Sequence, residues 1–143
     1  MITKIPFRLI KIENSGYHLL IEAKINQKHA HLLIDTGASK TVFDLSRITH
    51  YLDTSSFTDN EILSAGLGTN TLVSKSVILD SLTLGEFEII NYTAIVIDLQ
   101  HVNESYQTLG LQAFDGVLGS DIFYKYRASI DYKTKILKLR KRK

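Results

Sequence analysis

Apolar and polar residues alternate along most of this chain, and an alternation of period two is typical of β-strands. The alternating and apolar segments predict strands over residues 4–12, 17–25, 29–34, 55–64, 70–84, 87–99, 116–119, 128–132 and 135–139. Helical patterns are short: they fall at 44–51, at 102–109 and from Ser120 or Asp121, whose side chains suit a helix N-cap. We therefore predict an all-β fold in which helices are minor elements.

One strand departs from the alternation at its end. Residues 32–34 form the continuous apolar run Leu-Leu-Ile, which is expected where a strand is covered on both faces. An acid, a hydroxyl, a glycine and two small residues follow at once, in the order Asp-Thr-Gly-Ala-Ser over residues 35–39. We therefore expect Asp35 to lie at a buried strand end.

The residue types after this strand suit a fixed carboxylate. Gly37 allows a tight turn because it has no Cβ, Thr36 and Ser39 can hydrogen-bond the carboxylate, and Ala38 lets another segment approach closely. If a second carboxylate comes within about 3 Å, the pair can share one proton. One acid then acts as a base on water while the other donates a proton to a carbonyl oxygen.

Length and charge narrow the classes of function. The 143 residues, 44% of them hydrophobic, provide one core, so we predict a single domain over residues 1–143. The formal net charge is +2, with basic residues concentrated at 138–143. This basic tail is short and has no interleaved aromatic residues, so we expect a solvated terminus and no nucleic-acid partner.

The chain has no cysteine, which excludes disulfides, thiolate chemistry and cysteine metal ligands. Residues 1–12 do not form a secretory signal, and no apolar run approaches the roughly 20 residues that span a bilayer. The sequence is therefore interpreted as that of a cytoplasmic protein with no membrane segment.

A zinc site is the alternative chemistry that the histidines raise. His29 and His31 lie two apart on one strand, on the same face as Asp35, and a His-x-His pair with a carboxylate can bind zinc. No other histidine has a spacing that completes a ligand set. We therefore expect no metal and no cofactor.

Residues 34–39, Ile-Asp-Thr-Gly-Ala-Ser, resemble the active-site signature of the aspartic proteases. The later Gly116-Val117-Leu118-Gly119 resembles the element that braces this loop in the same family. The likeness is greatest to the retropepsin-like group, single-lobe proteins that work as homodimers, and it extends in order along nearly the whole chain. It implies a closed β-barrel with one or two short helices and aspartic endopeptidase activity on peptides or proteins.

The resemblance also implies a role for each matching residue. Asp35 from each of two chains would form the catalytic pair, Thr36 and Gly37 would hold the loop and the inter-chain contact, and Ser39 would orient the carboxylate. The flap that closes over an extended peptide would consist of Ala65, Gly66, Leu67, Gly68 and Thr69. The terminal segments 2–10 and 135–139 are expected to supply strands at the dimer interface.

The chain carries only one full motif. Asp53-Thr54-Ser55 lacks the glycine and follows no apolar strand, so it is interpreted as a loop. The acids Asp115, Asp121 and Asp131 are interpreted as turn and cap residues. The alternative function is a non-catalytic dimerising or peptide-binding module on the same fold.

Overall fold

We describe residues 1–12, 16–53, 58–64 and 71–141 in a computed structural model. The strands are β1 (Ile2–Ile12), β2 (Gly16–Ile25), β3 (Lys28–Ile34), β4 (Val42–Asp44), β5 (Thr58–Ser64), β6 (Thr71–Leu84), β7 (Phe87–Ile97), β8 (Gly116–Leu118), β9 (Ser129–Asp131) and β10 (Ile136–Arg140). The helices are α1 (Leu45–Ile48), α2 (Gln100–Thr108) and α3 (Ser120–Lys125), and a 3-10 turn covers Thr49–Tyr51. Strands therefore dominate the described residues.

Six of the strands close into a barrel. The strands follow the order β2, β3, β8, β4, β7 and β6, and β6 returns to pair with β2 through Lys24–Thr83 and Ile25–Leu82. A closed barrel leaves no open edge along this part of the sheet. The predicted fold class, a mostly β barrel with few short helices, is confirmed.

The terminal strands extend the sheet beyond the barrel. β1 pairs with β2 through Phe7–Ile12 and with β10 through Ile2–Pro6. β10 lies between β1 and β9, so its residues 136–138 are paired on both edges. The terminal segments that we expected at a dimer interface thus pair with each other, and β9 is the strand at that end of the described sheet.

Two apolar clusters cover the two faces of β3. Leu32 belongs to the main core, and its side chain is fully buried. Leu33 points to a second, smaller cluster with Leu20, Tyr106 and Phe114. The predicted covering of this strand on both faces is therefore confirmed, and the second cover includes Tyr106 of α2.

The helix predicted over residues 44–51 is present as α1 and the 3-10 turn, with Asp44 as the N-cap of α1. The strand directly before it, β4, was not predicted. This three-residue strand is too short to show a period, and its pairing with β7 and β8 fixes it. The N-cap of α3 is Gly119 rather than Ser120 or Asp121, because the chain leaves β8 in an extended conformation at Gly119.

Gly116 offers a test of how β8 is packed. A Cβ added at Gly116 would lie 2.6 Å from the Val42 carbonyl oxygen, so we expect Gly116→Ala to lower the free energy of unfolding by about 1–3 kcal/mol. Gly16→Ala is the matched control: nothing lies within 4 Å of its added Cβ, and we expect no loss of stability. Urea denaturation measures both, and equal stability of the two variants would contradict the packing described.

Candidate active site

The loop after β3 is folded around the backbone of Asp35. The Asp35 N–H donates to the Leu118 carbonyl at 3.0 Å, and the Ala38 N–H donates to the Asp35 carbonyl at 3.1 Å. The Gly37 N–H donates to Asp35 Oδ1 at 2.9 Å. This short turn, in which an Asp side chain bonds the backbone two residues on, is a common one. The carboxylate is therefore oriented by the loop's own backbone.

β8 braces this loop from inside the sheet, between β3 and β4. Ile34 pairs with Leu118, and Val42 pairs with Val117. Past the strand, the Ser120 N–H donates to the Ala38 carbonyl at 2.8 Å. A Cβ at Gly119 would lie 2.8 Å from that same carbonyl oxygen. The structure thus brings residues 35–39 and 116–119 together.

Thr41 joins the two segments through its side chain. Its Oγ1 accepts from the Gly119 N–H at 2.9 Å and donates to Asp121 Oδ1 at 2.8 Å. The Thr41 N–H donates to the same Asp121 oxygen at 2.9 Å. Burial, and then the charge of Asp121, raises the pKa of the neighbouring Tyr92 to about 12. Our sequence reading missed Thr41 because its partners lie about 80 residues further along the chain.

The loop itself is open to solvent. Asp35, Thr36 and Gly37 are exposed, because the chain turns out of the sheet beyond the last pair, Ile34–Leu118. The expectation that Asp35 is buried was therefore wrong for the single chain. Ser39 is also exposed, and within the described residues its hydroxyl makes no hydrogen bond to the Asp35 carboxylate.

Asp115 is a buried, ion-paired residue rather than the turn residue that we expected. Its side chain is 3% exposed and lies 2.9 Å from Arg47 Nε. Its other oxygen accepts from the His31 N–H at 2.8 Å. His31 precedes Asp35 by four strand residues, or about 13 Å. Asp115 therefore lies beside the middle of β3, away from Asp35.

Asp44 is also fully committed to structural hydrogen bonds. Its two oxygens accept from the Leu99 N–H at 3.0 Å, from Ser46 Oγ at 3.0 Å and from Asn103 Nδ2 at 3.2 Å. Asn103 in turn exchanges two hydrogen bonds with the backbone of Phe114. These buried contacts attach α2 to the barrel.

A cavity of about 450 Å³ opens beside Asp35. Its lining is mainly apolar, as is typical of ligand pockets. The lining residues are Tyr17, His18, Leu19, Leu33, Ile34, Asp35, Thr36, Leu99, Val102, Phe114, Val117, Ile130 and Tyr132. Among these described residues Asp35 is the only acid.

A family model for aspartyl proteases matches residues 21–122, which include the Asp35 loop and β8. The chain belongs to the aspartyl protease family. A comparison with curated protein sequences gives no match.

Solved structures of aspartyl proteases share the fold. A retropepsin-like aspartic protease from Rickettsia conorii has a TM-score of 0.59 and 20% identity, with 97% of this chain and 91% of that chain covered. The EIAV protease, solved in complex with the inhibitor HBY-793, has a TM-score of 0.59 and 14% identity, covering 85% and 99% of the two chains. The retroviral protease-like domain of Ddi1 from Leishmania major has a TM-score of 0.54 and 17% identity, covering 87% and 90%. The fold is therefore retropepsin-like.

Some predicted features of an aspartyl protease lie outside the described residues. They are the flap, residues 65–69, and most of the incomplete motif, residues 54 and 55. The described strands on either side of the flap pair up to Ser64–Thr71.

The remaining predictions concern metals, membranes and turns. Across residues 1–12, 16–53, 58–64 and 71–141, no three His, Asp or Glu side chains are placed to hold a metal ion. None of the described helices has the length and apolar character needed to cross a membrane. Asp131 ends β9, and its side chain holds the turn that follows, in line with the predicted turn role: the Thr134 and Lys133 N–H groups donate to its carboxylate and lower its pKa.

Thr41 supplies a test of the brace. We expect Thr41→Val to lower the free energy of unfolding by about 1–3 kcal/mol, because the buried Gly119 N–H loses its acceptor. Thr41→Ser keeps the hydroxyl and is expected to retain most of the stability. Chemical denaturation distinguishes the two variants, and a Val variant as stable as the Ser variant would show that the hydroxyl does not brace the loop.

Proposed function

We propose that this chain is an aspartic endopeptidase that hydrolyses peptide bonds with a water molecule activated by two Asp35 carboxylates, one from each copy of a homodimer. Membership of the aspartyl protease family and the retropepsin-like fold support protease function in general. The finer assignment rests on the distribution of acids around the cavity.

The main observation in support of a second copy is that Asp35 is the only acid among the described residues of the cavity lining. Asp44 and Asp115 are buried and saturated with hydrogen bonds elsewhere. Asp131 is held by its own turn, although its neighbours Ile130 and Tyr132 line the cavity. One carboxylate cannot be the base and the acid at once, which supports our assignment of the second acid to another copy.

The edge of β9 supports a location for that second copy. Ser129–Asp131 pairs on one side with β10 and has no described partner strand on the other. The same segment borders the cavity that contains Asp35. A twofold axis near β9 would give an isologous contact and bring the two Asp35 loops together. Pairing there would also cover an open strand edge.

The chemistry then follows from one proton shared by the pair. The ionised Asp35 removes a proton from water, and the oxygen attacks the peptide carbonyl carbon. The protonated Asp35 donates its proton to the carbonyl oxygen, which forms a neutral tetrahedral diol. Collapse of the diol breaks the C–N bond, and the amine leaves with a proton that comes from the pair. We propose residues 1–143 as one domain for this activity, with an extended peptide as substrate.

Asp35→Asn tests the catalytic assignment. We expect this variant to lose at least about 1,000-fold in kcat/KM on an unfolded protein substrate, because an amide cannot carry the proton in either step. Asp53→Asn is the matched control, since Asp53 is an exposed acid that does not line the cavity. Cleavage at the wild-type rate by the Asp35→Asn variant would refute the assignment. Peptide binding by a wild type that cleaves nothing would favour the binding module.

Mixed dimers test the second acid. Wild type and Asp35→Asn are unfolded together and refolded at fixed total concentration. If each site needs two Asp35 residues, only dimers of two wild-type chains are active, and an equal mixture keeps about a quarter of the wild-type activity. An isolated chain with its own complete site would keep about one half. A linear decrease with the wild-type fraction would therefore contradict the proposed pair.

A further inference from the structure

The cavity beside Asp35 contains a pair of side chains with no function in the proposed chemistry. His18 of β2 lines the cavity, and its ring stacks on that of Tyr106 in α2, with centroids 5.5 Å apart and planes at 22°. His18 Nδ1 is hydrogen-bonded to the Tyr106 hydroxyl. His18 is exposed, whereas Tyr106 is only 4% exposed. The pair thus connects the buried surface under α2 to the cavity.

The Tyr106 hydroxyl determines which His18 nitrogen carries hydrogen. Burial raises the pKa of Tyr106 to about 12, so the phenol keeps its proton at neutral pH. In the part of the chain described, His18 is the sole hydrogen-bond partner of this hydroxyl. A buried O–H without an acceptor is unfavourable, so Tyr106 donates to Nδ1. The neutral imidazole then carries its hydrogen on Nε2.

We propose that His18 is a specificity-determining residue, and that the cavity takes a substrate side chain with an apolar stem and a neutral hydrogen-bond acceptor at its end, as in glutamine. The apolar wall of Leu99, Val102 and Val117 contacts the stem. The Nε2–H of His18 donates to the terminal oxygen. This inference rests on the proposed function, since it names the substrate class of the same site.

The charge of the site decides between an amide and a carboxylate. Asp35 lines the same cavity as His18. A pair of Asp35 residues that shares one proton carries a negative charge, which repels a substrate carboxylate. Glutamine has the acceptor oxygen without the charge, so it is favoured over glutamate.

A substrate is favoured over a partner chain as the occupant of the cavity. Asp35 and Thr36 are part of the lining, so the cavity is continuous with the atoms at which a peptide bond would react. Successive residues of an extended peptide advance by about 3.3 Å, which brings a side chain near the cleaved bond within reach of the cavity. Tyr17 and Tyr132, 56% and 61% exposed, flank the opening and leave it accessible in the single chain.

Binding to the Asp35→Asn variant tests this preference without turnover. The peptides differ at one position only, where they carry glutamine, glutamate or norleucine. This position is moved in turn along the central residues of the peptide. Norleucine has a similar length to glutamine but no hydrogen-bond acceptor. At the position that enters the cavity we expect glutamine to bind about tenfold more tightly than norleucine, as one hydrogen bond provides. Glutamate and glutamine are compared on the wild type instead, in peptides whose central amide is replaced by a non-hydrolysable bond, because only the wild type has the charge that repels a carboxylate; there we expect glutamate to bind less tightly.

The readout is the ratio of the dissociation constant of the norleucine peptide to that of the glutamine peptide, measured within each variant. Adding His18→Leu together with Tyr106→Phe removes both hydrogen-bonding partners, so no buried hydroxyl is left without an acceptor. We expect the ratio to fall to about one in this variant. His101→Leu, an exposed histidine of α2 that does not line the cavity, is the matched control and keeps the ratio. Thermal melting confirms that each variant is folded.

Three outcomes overturn the inference. They are equal affinities for glutamine and norleucine at every position, tighter binding of glutamate than of glutamine to the wild type, and a ratio that survives in the variant lacking His18. If the variant with His18→Leu and Tyr106→Phe changes the sedimentation of the dimer but keeps the ratio of dissociation constants, the inference is likewise overturned and the cavity is assigned to the partner chain. Wild type that hydrolyses no peptide, while the binding ratio holds, would refute the proposed function alone.

Discussion

The insertion of β8 between β3 and β4 is the constraint on which the rest of the structure depends. Gly116 permits it, because any side chain there would collide with the Val42 carbonyl and with Phe43. Once β8 is in place, Leu118 accepts the Asp35 N–H and the chain beyond Gly119 meets the Asp35 loop. The loop is then fixed at its backbone, while its carboxylate accepts one hydrogen bond within the loop and stays exposed. A rigid backbone that orients an accessible acid suits the reaction that we propose at that acid.

The sequence predicts the parts of this arrangement that are local. The strands have a clear period, and residues 34–39 and 116–119 carry their motifs in consecutive positions. It does not predict β4, because three residues have no period, nor the contacts of Thr41 and Asp115, which join residues about 70 to 80 apart. The His18–Tyr106 pair, 88 residues apart, belongs to the same class. Such pairs depend on the closed barrel, so no short window of sequence contains them.

The exposure of Asp35 separates it physically from the buried acids Asp44 and Asp115. Asp44 and Asp115 are buried, and each is compensated by several donors or by Arg47, as buried charges require. Within the described chain the Asp35 carboxylate has one donor, the Gly37 N–H. Its carboxylate is therefore less committed to the fold than those of Asp44 and Asp115. The acids that stabilise the barrel are distinct from the acid to which we assign the chemistry.

Helix α2 contains one polar residue that anchors it to the barrel and another that contacts the wall of the cavity. Asn103 anchors the helix through Asp44 and Phe114, so its position is set by contacts away from the loop. From that anchored position Tyr106, one turn further along, fixes the ring of His18 at the cavity wall. Residues of the barrel thus position Asp35, the acid to which we assign the reaction, while a helix held by its own buried network positions His18, the group that we propose faces the substrate. Under this proposal, a change in α2 alters which peptide binds and leaves the geometry around Asp35 intact.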